Sequence, residues 1–452
     1  MAHMTTIAFF PYVTTSVVSS VLSRTAALAT LAIYLVSCST NPPSTPPPPP
    51  AASAVAPSVN ANAPRYTAGP LAQKIAQEAL IVDTHIDVPY RLFRNPADIS
   101  QSTESGDVDY PRAKAGGLNV PFMSIYIPAA VDEAGEAYAF ANDAIDLVEG
   151  IANDAPDKFA VATCSADVDK QVSNGLISLP MGMENGGPIE GDLDNLAHFF
   201  DRGIRYITLA HSKSNHISDS SYDENEAWQG LSPFGKTLIP AMNRQGVMVD
   251  VSHLSDNAFW QVLELSKAPV IASHSSLRHF TPGFHRNMSD DMVAALGKHG
   301  GIVQINFGSN FLSADTQTYS AKRRAAAAAY ADANHLAPDA PELMQFLVEY
   351  TEQNPYIFAT LDDVLDHIDR TVELAGINAV GIGSDYDGVG PSLPVGLKDA
   401  ASYPNLVQGL IDRGYNEPDI KKLLGGNTMR LWRAVETYAE QAGTRTQCRS
   451  QS

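Results

Sequence analysis

From residue 80 onward, eight short runs rich in apolar and β-branched residues recur, most followed by a stretch long enough for a helix, and this alternation restricts the chain to a parallel α/β fold. The runs are 80–86, 120–127, 176–183, 205–210, 246–251, 269–273, 301–307 and 379–384. Eight parallel strands with helices between them predict a closed (β/α)8 barrel of the TIM type rather than an open sheet. Helical periodicity marks 192–202, 255–266 and 289–299, the second opening on Ser255 as its N-cap. The connection 88–119 is rich in Pro, Gly and polar residues and reads as a loop. Between the last two runs lies an insertion, 308–359, with an alanine stretch from Ala325 to Ala329, which reads as an extra helical hairpin. With 452 residues, 44% of them hydrophobic, the chain can bury a core of that size.

The first 64 residues have a different character. Arg24 precedes an apolar run at 26–36, too short for a permanent membrane span but suited to a signal peptide. Leu35-Val36-Ser37-Cys38 follows and resembles the lipobox of bacterial lipoproteins, in which the cysteine becomes the lipidated first residue. Residues 41–64, with five prolines from Pro46 to Pro50, predict a polyproline-like tether. The expected organisation is therefore a signal peptide at 1–37, a Pro-rich tether at 38–64, a barrel domain at 65–440 and a polar C-terminal tail at 441–452. That places the barrel in a bacterial cell envelope, lipid-anchored through Cys38 and facing the periplasm or the exterior.

The formal net charge of -20 falls on the barrel domain, since no Asp or Glu precedes Glu78. Such a balance argues against nucleic acid, which needs a basic face. Only Cys38, Cys164 and Cys448 are present, so neither a disulfide framework nor a cysteine zinc site is expected. A metal would have to be held by histidines and carboxylates.

Those residues stand where a barrel builds its active site, at the ends of the strands. The first run ends in Asp83-Thr84-His85-Ile86-Asp87 and the third in Glu184. The next three are followed by His211, His253 and His274, and the eighth by Asp385. Each alone is weak evidence, because a single polar residue after a strand is usually structural. The set converging on one barrel mouth is a different matter. Residues two apart on a strand share a face, so His85 and Asp87 can address one cation, with Asp83 deeper and behind them. Imidazole and carboxylate ligands suit zinc, and metal pairs bridged by a carboxylate serve hydrolysis. The expectation is two zinc ions bridged by Glu184, one taking His85 and Asp87, the other His253 and His274.

In order along the chain, Asp83-Thr84-His85-Ile86-Asp87, Gly182-Met183-Glu184-Asn185-Gly186-Gly187, Tyr206-Ile207-Thr208-Leu209-Ala210-His211-Ser212, Asp250-Val251-Ser252-His253, Ala272-Ser273-His274-Ser275-Ser276, Arg286-Asn287 and Gly381-Ile382-Gly383-Ser384-Asp385-Tyr386-Asp387-Gly388 resemble the signature segments of the membrane (renal) dipeptidases of the amidohydrolase superfamily. The resemblance implies a two-zinc dipeptidase in which His85, Asp87, Glu184, His253 and His274 match the ligands. It further implies that His211 contacts the scissile carbonyl, Asp385 transfers protons and Arg286 binds the free carboxylate of the substrate. A hydroxide between the metals would attack the peptide carbonyl, and dimerisation is common in the family. Two departures are visible: Thr84 stands where animal members commonly have Gly, and Asn185 interrupts the usual Glu-Gly-Gly run.

Apart from the resemblance, Arg286 reads as a surface ion pair, His216, His279 and His285 as loop residues, and Asp387-Gly388 as a turn. Two other functions fit the same sequence: a deacylase or cyclic-amide hydrolase of the superfamily, which would not depend on Arg286, and a non-catalytic envelope lipoprotein that binds ligands. A degenerate ligand set would favour the second, and this set is complete.

Overall fold

The computed structural model describes residues 66–444 and Cys448. The expected signal peptide, Cys38 and the tether lie outside the described residues. Ten strands are present among them: β1 (Ile81–Ile86), β2 (Leu118–Tyr126), β3 (Phe159–Val161), β4 (Ile177–Leu179), β5 (Met181–Glu184), β6 (Ile204–Thr208), β7 (Met248–Asp250), β8 (Ile271–Ala272), β9 (Ile302–Ile305) and β10 (Val380–Ile382). Eight of these close into a barrel in the order β1-β10-β9-β8-β7-β6-β5-β2, the ring shut by the parallel pairing of Asp83 with Ile382. The eight-stranded barrel is the fold expected from the alternating runs.

Two expectations need correction. The run 176–183 is two strands, because Pro180 has no N–H to donate: β4 leaves the barrel to pair with β3, and β5 enters it. The connection 88–119 is not a loop but carries the helices Val88–Arg94 and Tyr110–Gly116. Each has its proline in the first turn, where a missing N–H costs nothing. The second is also capped at both ends, by Asp109, which accepts from the Arg112 N–H at 2.9 Å, and by Gly117 at φ 80°.

The other helices form where their caps stand. Asp192, Ser255 and Ser289 each accept a backbone N–H at the start of Leu193–Asp201, Asp256–Leu265 and Asp290–Lys298. The insertion is the expected hairpin, Ala314–Asn334 and Pro341–Gln353, preceded by the short Ser309–Leu312. Its two long arms are pinned by Tyr330 stacked on Phe346, with ring centroids 4.2 Å apart.

The apolar filling of the barrel is concentrated where the strands begin. Val82, Val120, Met248, Ile271 and Ile302 pack there with Met429 and Trp432 of the helix Asn427–Gln441, which plugs that end. The opposite end is therefore left for polar side chains. Beyond that helix the chain is fastened back by a disulfide between Cys164 and Cys448, 284 residues apart. The scarcity of cysteine had left no bridge expected.

Candidate metal centre and substrate cavity

Every metal-capable residue singled out in the sequence meets at the polar end of the barrel. Glu184 is the last residue of β5 and is buried. Its Oε1 lies 3.1 Å from His253 Nε2, 3.2 Å from His274 Nε2 and 3.4 Å from His211 Nε2, and its Oε2 lies 3.4 Å from His85 Nε2. Asp87 Oδ2 approaches His85 Nε2 to 3.5 Å. The ligand-capable atoms form three triads, His85/Glu184/His274, Glu184/His211/His253 and His85/Asp87/Asp385, each within 4.8 Å. Glu184 belongs to two of them. The triads cut across the expected partition, because His274 also reaches the side of His85, their rings stacked with centroids 3.7 Å apart.

The hydrogen bonds behind the histidines decide which ring nitrogens are bare. Ser273 Oγ donates its one proton to Asp250 Oδ2 at 2.7 Å, so towards His274 Nδ1, at 2.8 Å, it can only accept. His274 therefore carries its proton on Nδ1 and turns a lone pair on Nε2 to the centre. Tyr206 does the same for His85: its hydroxyl donates to the Thr84 carbonyl at 3.0 Å and accepts from His85 Nδ1 at 2.9 Å. Gly182 makes room for that phenol, since a Cβ there would come within 1.9 Å of the Tyr206 ring. Such backing groups set the tautomer and aim of a metal-ligating imidazole.

The electrostatics also suit a cation. His253 Nε2 and His274 Nε2 stand 2.8 Å apart, and burial holds the pKa of both rings well below the ordinary histidine value. Burial works to raise the Glu184 pKa, but His85 and His211, with the rings of His253 and His274 beside it, hold it well below the usual carboxylate range. Burial, then Asp87 and Glu184, push Asp385 well above that range. His85 Nε2 and Asp87 Oδ1 are buried without a hydrogen-bond partner. Bare imidazole nitrogens around a shared carboxylate, with orphaned buried donors and acceptors, fit a pair of divalent cations.

Backbone geometry sharpens the aim. His253 and Asp385 have φ of 69° and 62°, left-handed values uncommon outside glycine, which turn both side chains back over the barrel mouth. One oxygen of Asp385, Oδ2, is held by Asn306 Nδ2 at 2.7 Å. Gly388 lies against the same pair of carboxylates, where a Cβ would meet Asp87 Oδ2 at 2.1 Å and Asp385 Oδ1 at 2.2 Å. Asp387 does form a turn, at φ 68°, and it also faces the cavity, while it and Asp107 each donate a backbone N–H to the other's carboxylate. Asp83 sits behind the centre and accepts from the N–H groups of His85 and Ser384 and from the Tyr403 hydroxyl.

A cavity of about 760 Å³ opens over these residues, lined by Asp87, Glu184, His211, His253 and Asp385, with Tyr126, Tyr222 and Phe311 around them. Arg286 is not a surface ion pair. It is buried, its Nη1 and Nη2 donate to Ser275 Oγ at 2.8 Å and to the His274 carbonyl at 2.7 Å, and its Nε has no partner. His216, His279 and His285 join none of the metal-capable groups among the described residues.

The sequence reading had missed Tyr206, Asp250, Ser273, Asn306 and Tyr222 as parts of the site. Tyr206 and Asp250 left a signal, since polar side chains on inward positions of barrel strands require buried partners. Tyr222 left none.

A model of the membrane dipeptidases, peptidase family M19, matches residues 71–446. Dipeptidase aclJ of Aspergillus oryzae is 34% identical over 341 residues, which cover 74% of this chain and 71% of that protein. Among solved structures, the probable dipeptidase PvdM from Pseudomonas aeruginosa is 29% identical with a TM-score of 0.70, covering 82% of this chain and 98% of its own. A metallopeptidase from Rhodobacter sphaeroides, liganded with a phosphinate mimic of L-Ala-D-Ala, is 26% identical with a TM-score of 0.65, covering 79% of this chain and 99% of its own. The fold, the buried His/Glu cluster and these matches agree: the chain belongs to the membrane dipeptidase family M19 and is a metallo-dipeptidase.

Proposed function

We propose that this dipeptidase works with two zinc ions, held by His85, Asp87, His253 and His274 with Glu184 between them, and that Asp385, His211 and Arg286 act on the substrate. The observation that carries this is the convergence of four imidazole nitrogens on the single carboxylate of Glu184, with Asp87 and Asp385 alongside. When bound, the metal pair would supply a water acidified to a pKa of about 7 and an electrophile for the carbonyl oxygen.

The protein's own groups supply the remainder. With Oδ2 of Asp385 held by Asn306, its Oδ1 takes the proton of the attacking water and passes it to the leaving amine. His211, on the cavity wall beside His253, donates to the carbonyl oxygen as negative charge develops there. Arg286 receives the C-terminal carboxylate, which limits the substrate to two residues. A D-residue at that end is accepted as well, in line with the L-Ala-D-Ala mimic bound by the Rhodobacter relative.

The test is a panel of an L,L-dipeptide, an L,D-dipeptide, a tripeptide and an N-acyl amino acid, with zinc-loaded and chelated protein. Metal-dependent cleavage of the two dipeptides alone is expected, whereas cleavage of the acyl substrate alone makes this a deacylase. Asp385→Asn should lower kcat by at least about a hundredfold with two metals still bound; an unchanged kcat removes Asp385 from proton transfer.

The same proposal places the enzyme in a bacterial envelope, lipid-anchored through Cys38, and as a homodimer. Support for export comes from the Cys164–Cys448 bridge, a bond that persists in oxidising compartments. Cell fractionation checks the anchor: wild type should sediment with membranes and Cys38→Ala should not. Light scattering reads the mass of the assembly.

A further inference from the structure

Next to the metal cavity lies a second one, of about 510 Å³, and the two share Tyr222 as a wall. The Tyr222 ring stands between His253, at a centroid distance of 5.8 Å, and Phe284, at 6.1 Å. Arg286 lines this second cavity rather than the first. Its two terminal nitrogens already donate to the protein, but its buried Nε has no partner. Four carboxylates complete the lining: Asp223, Glu224, Glu226 and Asp256.

Those carboxylates are not equally free. Asp223 faces Lys213 at 3.7 Å, and Asp256 is gripped by both terminal nitrogens of Arg278, at 2.8 and 2.7 Å, with His285 at 3.8 Å. Glu224 and Glu226 have no cation within ion-pair distance among the described residues. The cavity thus holds a buried cation that suits a carboxylate and, on its solvent side, two uncompensated negative charges.

We propose that this cavity is the specificity pocket for the side chain of the substrate's C-terminal residue, and that it selects a cationic one such as lysine or arginine. The inference rests on the dipeptidase reading, with Arg286 receiving the terminal carboxylate. Once that carboxylate is on Arg286, the α-carbon that bears it lies one bond away and its side chain must leave from there. The scissile amide and the N-terminal residue lie over the metal cavity, and Arg286 lines the acidic one, so the acidic cavity receives the side chain. An ammonium or guanidinium there meets Glu224 and Glu226, and a carboxylate is repelled by them. Both glutamates are exposed to water, so the selection is modest and weakens with salt.

The experiment compares kcat/KM for Ala-Lys, Ala-norleucine and Ala-Glu at low and high ionic strength, in wild type and in the double variant Glu224→Gln/Glu226→Gln. Norleucine keeps the four-carbon chain of lysine without its ammonium. Ala-Lys should exceed Ala-norleucine about three- to tenfold at low salt, with Ala-Glu the poorest. The ratio should fall towards one in high salt and in the double variant. Inhibition constants of phosphinate mimics with the same three C-terminal residues should follow the same order. Equal rates for Ala-Lys and Ala-norleucine in wild type overturn the inference and leave the dipeptidase reading standing. A preference that survives intact in the double variant also overturns it, and failure to cleave any dipeptide overturns both.

Discussion

Ser273 and Tyr206 do not line the metal cavity, yet each determines which nitrogen of a neighbouring histidine is bare. Tyr206→Phe removes the acceptor of the His85 proton while keeping the ring, so metal affinity should fall about 10–100-fold, read by competition with a chelating dye. A histidine away from the metal centre contributes to acid sensitivity. His367 is wholly buried, accepts from the Leu277 N–H at 3.0 Å and donates to the Leu312 carbonyl at 3.1 Å; burial lowers its pKa from 6.5 to about 4. Between those values the unfolded chain binds a proton that the folded chain refuses, so stability falls as pH drops from 6.5 to 4, by on the order of 3 kcal/mol in all. Urea midpoints measured across that range should show a shallower acid slope in His367→Gln than in wild type. At this scale the convergence of the candidate ligands was legible, because their strand-end positions and motif spacing bring them to one barrel mouth. The two departures in the motifs become intelligible only with the backbone in view. Asn185 has φ 76°, a conformation glycine adopts freely and asparagine better than most, and the Thr84 hydroxyl donates to the Ser273 carbonyl at 2.6 Å.

Elements were legible where a cap or a run of β-branched residues declared them. Ser255 and Ser289 fix two helix starts, and the alanine stretch at 325–329 falls inside the long arm of the hairpin. The failures share a cause: short elements in a segment of mixed composition. Proline and glycine in 88–119 look like breakers, but Pro89 and Pro111 lie in first turns and Gly117 is a helix stop. The three residues Phe159–Val161 carry too little periodicity to register as a strand, and their partner β4 merges in sequence with β5. The acidic cavity escaped notice for a further reason. It is made by the loop at 220–226, the start of the helix Asp256–Leu265 and the loop at 283–286, which only the closed barrel brings together.

For the whole molecule, the disulfide and the plugging helix act on the same problem, keeping the last stretch of chain on the barrel. Replacing both Cys164 and Cys448 by Ser should cost about 2–4 kcal/mol, read as a lower urea midpoint in the variant than in oxidised wild type. The barrel closes between its first and last strands, and Ser384 N–H reaches Asp83 Oδ1 across 301 residues of sequence. A polypeptide that has made β1 through β9 already contains His85, Asp87, Glu184, His253 and His274, but its ring is still open between β9 and β1, where β10 belongs. Asp385 enters only with the final strand. A chain stopped short of β10 would therefore carry every proposed metal ligand and lack the carboxylate proposed to move the proton.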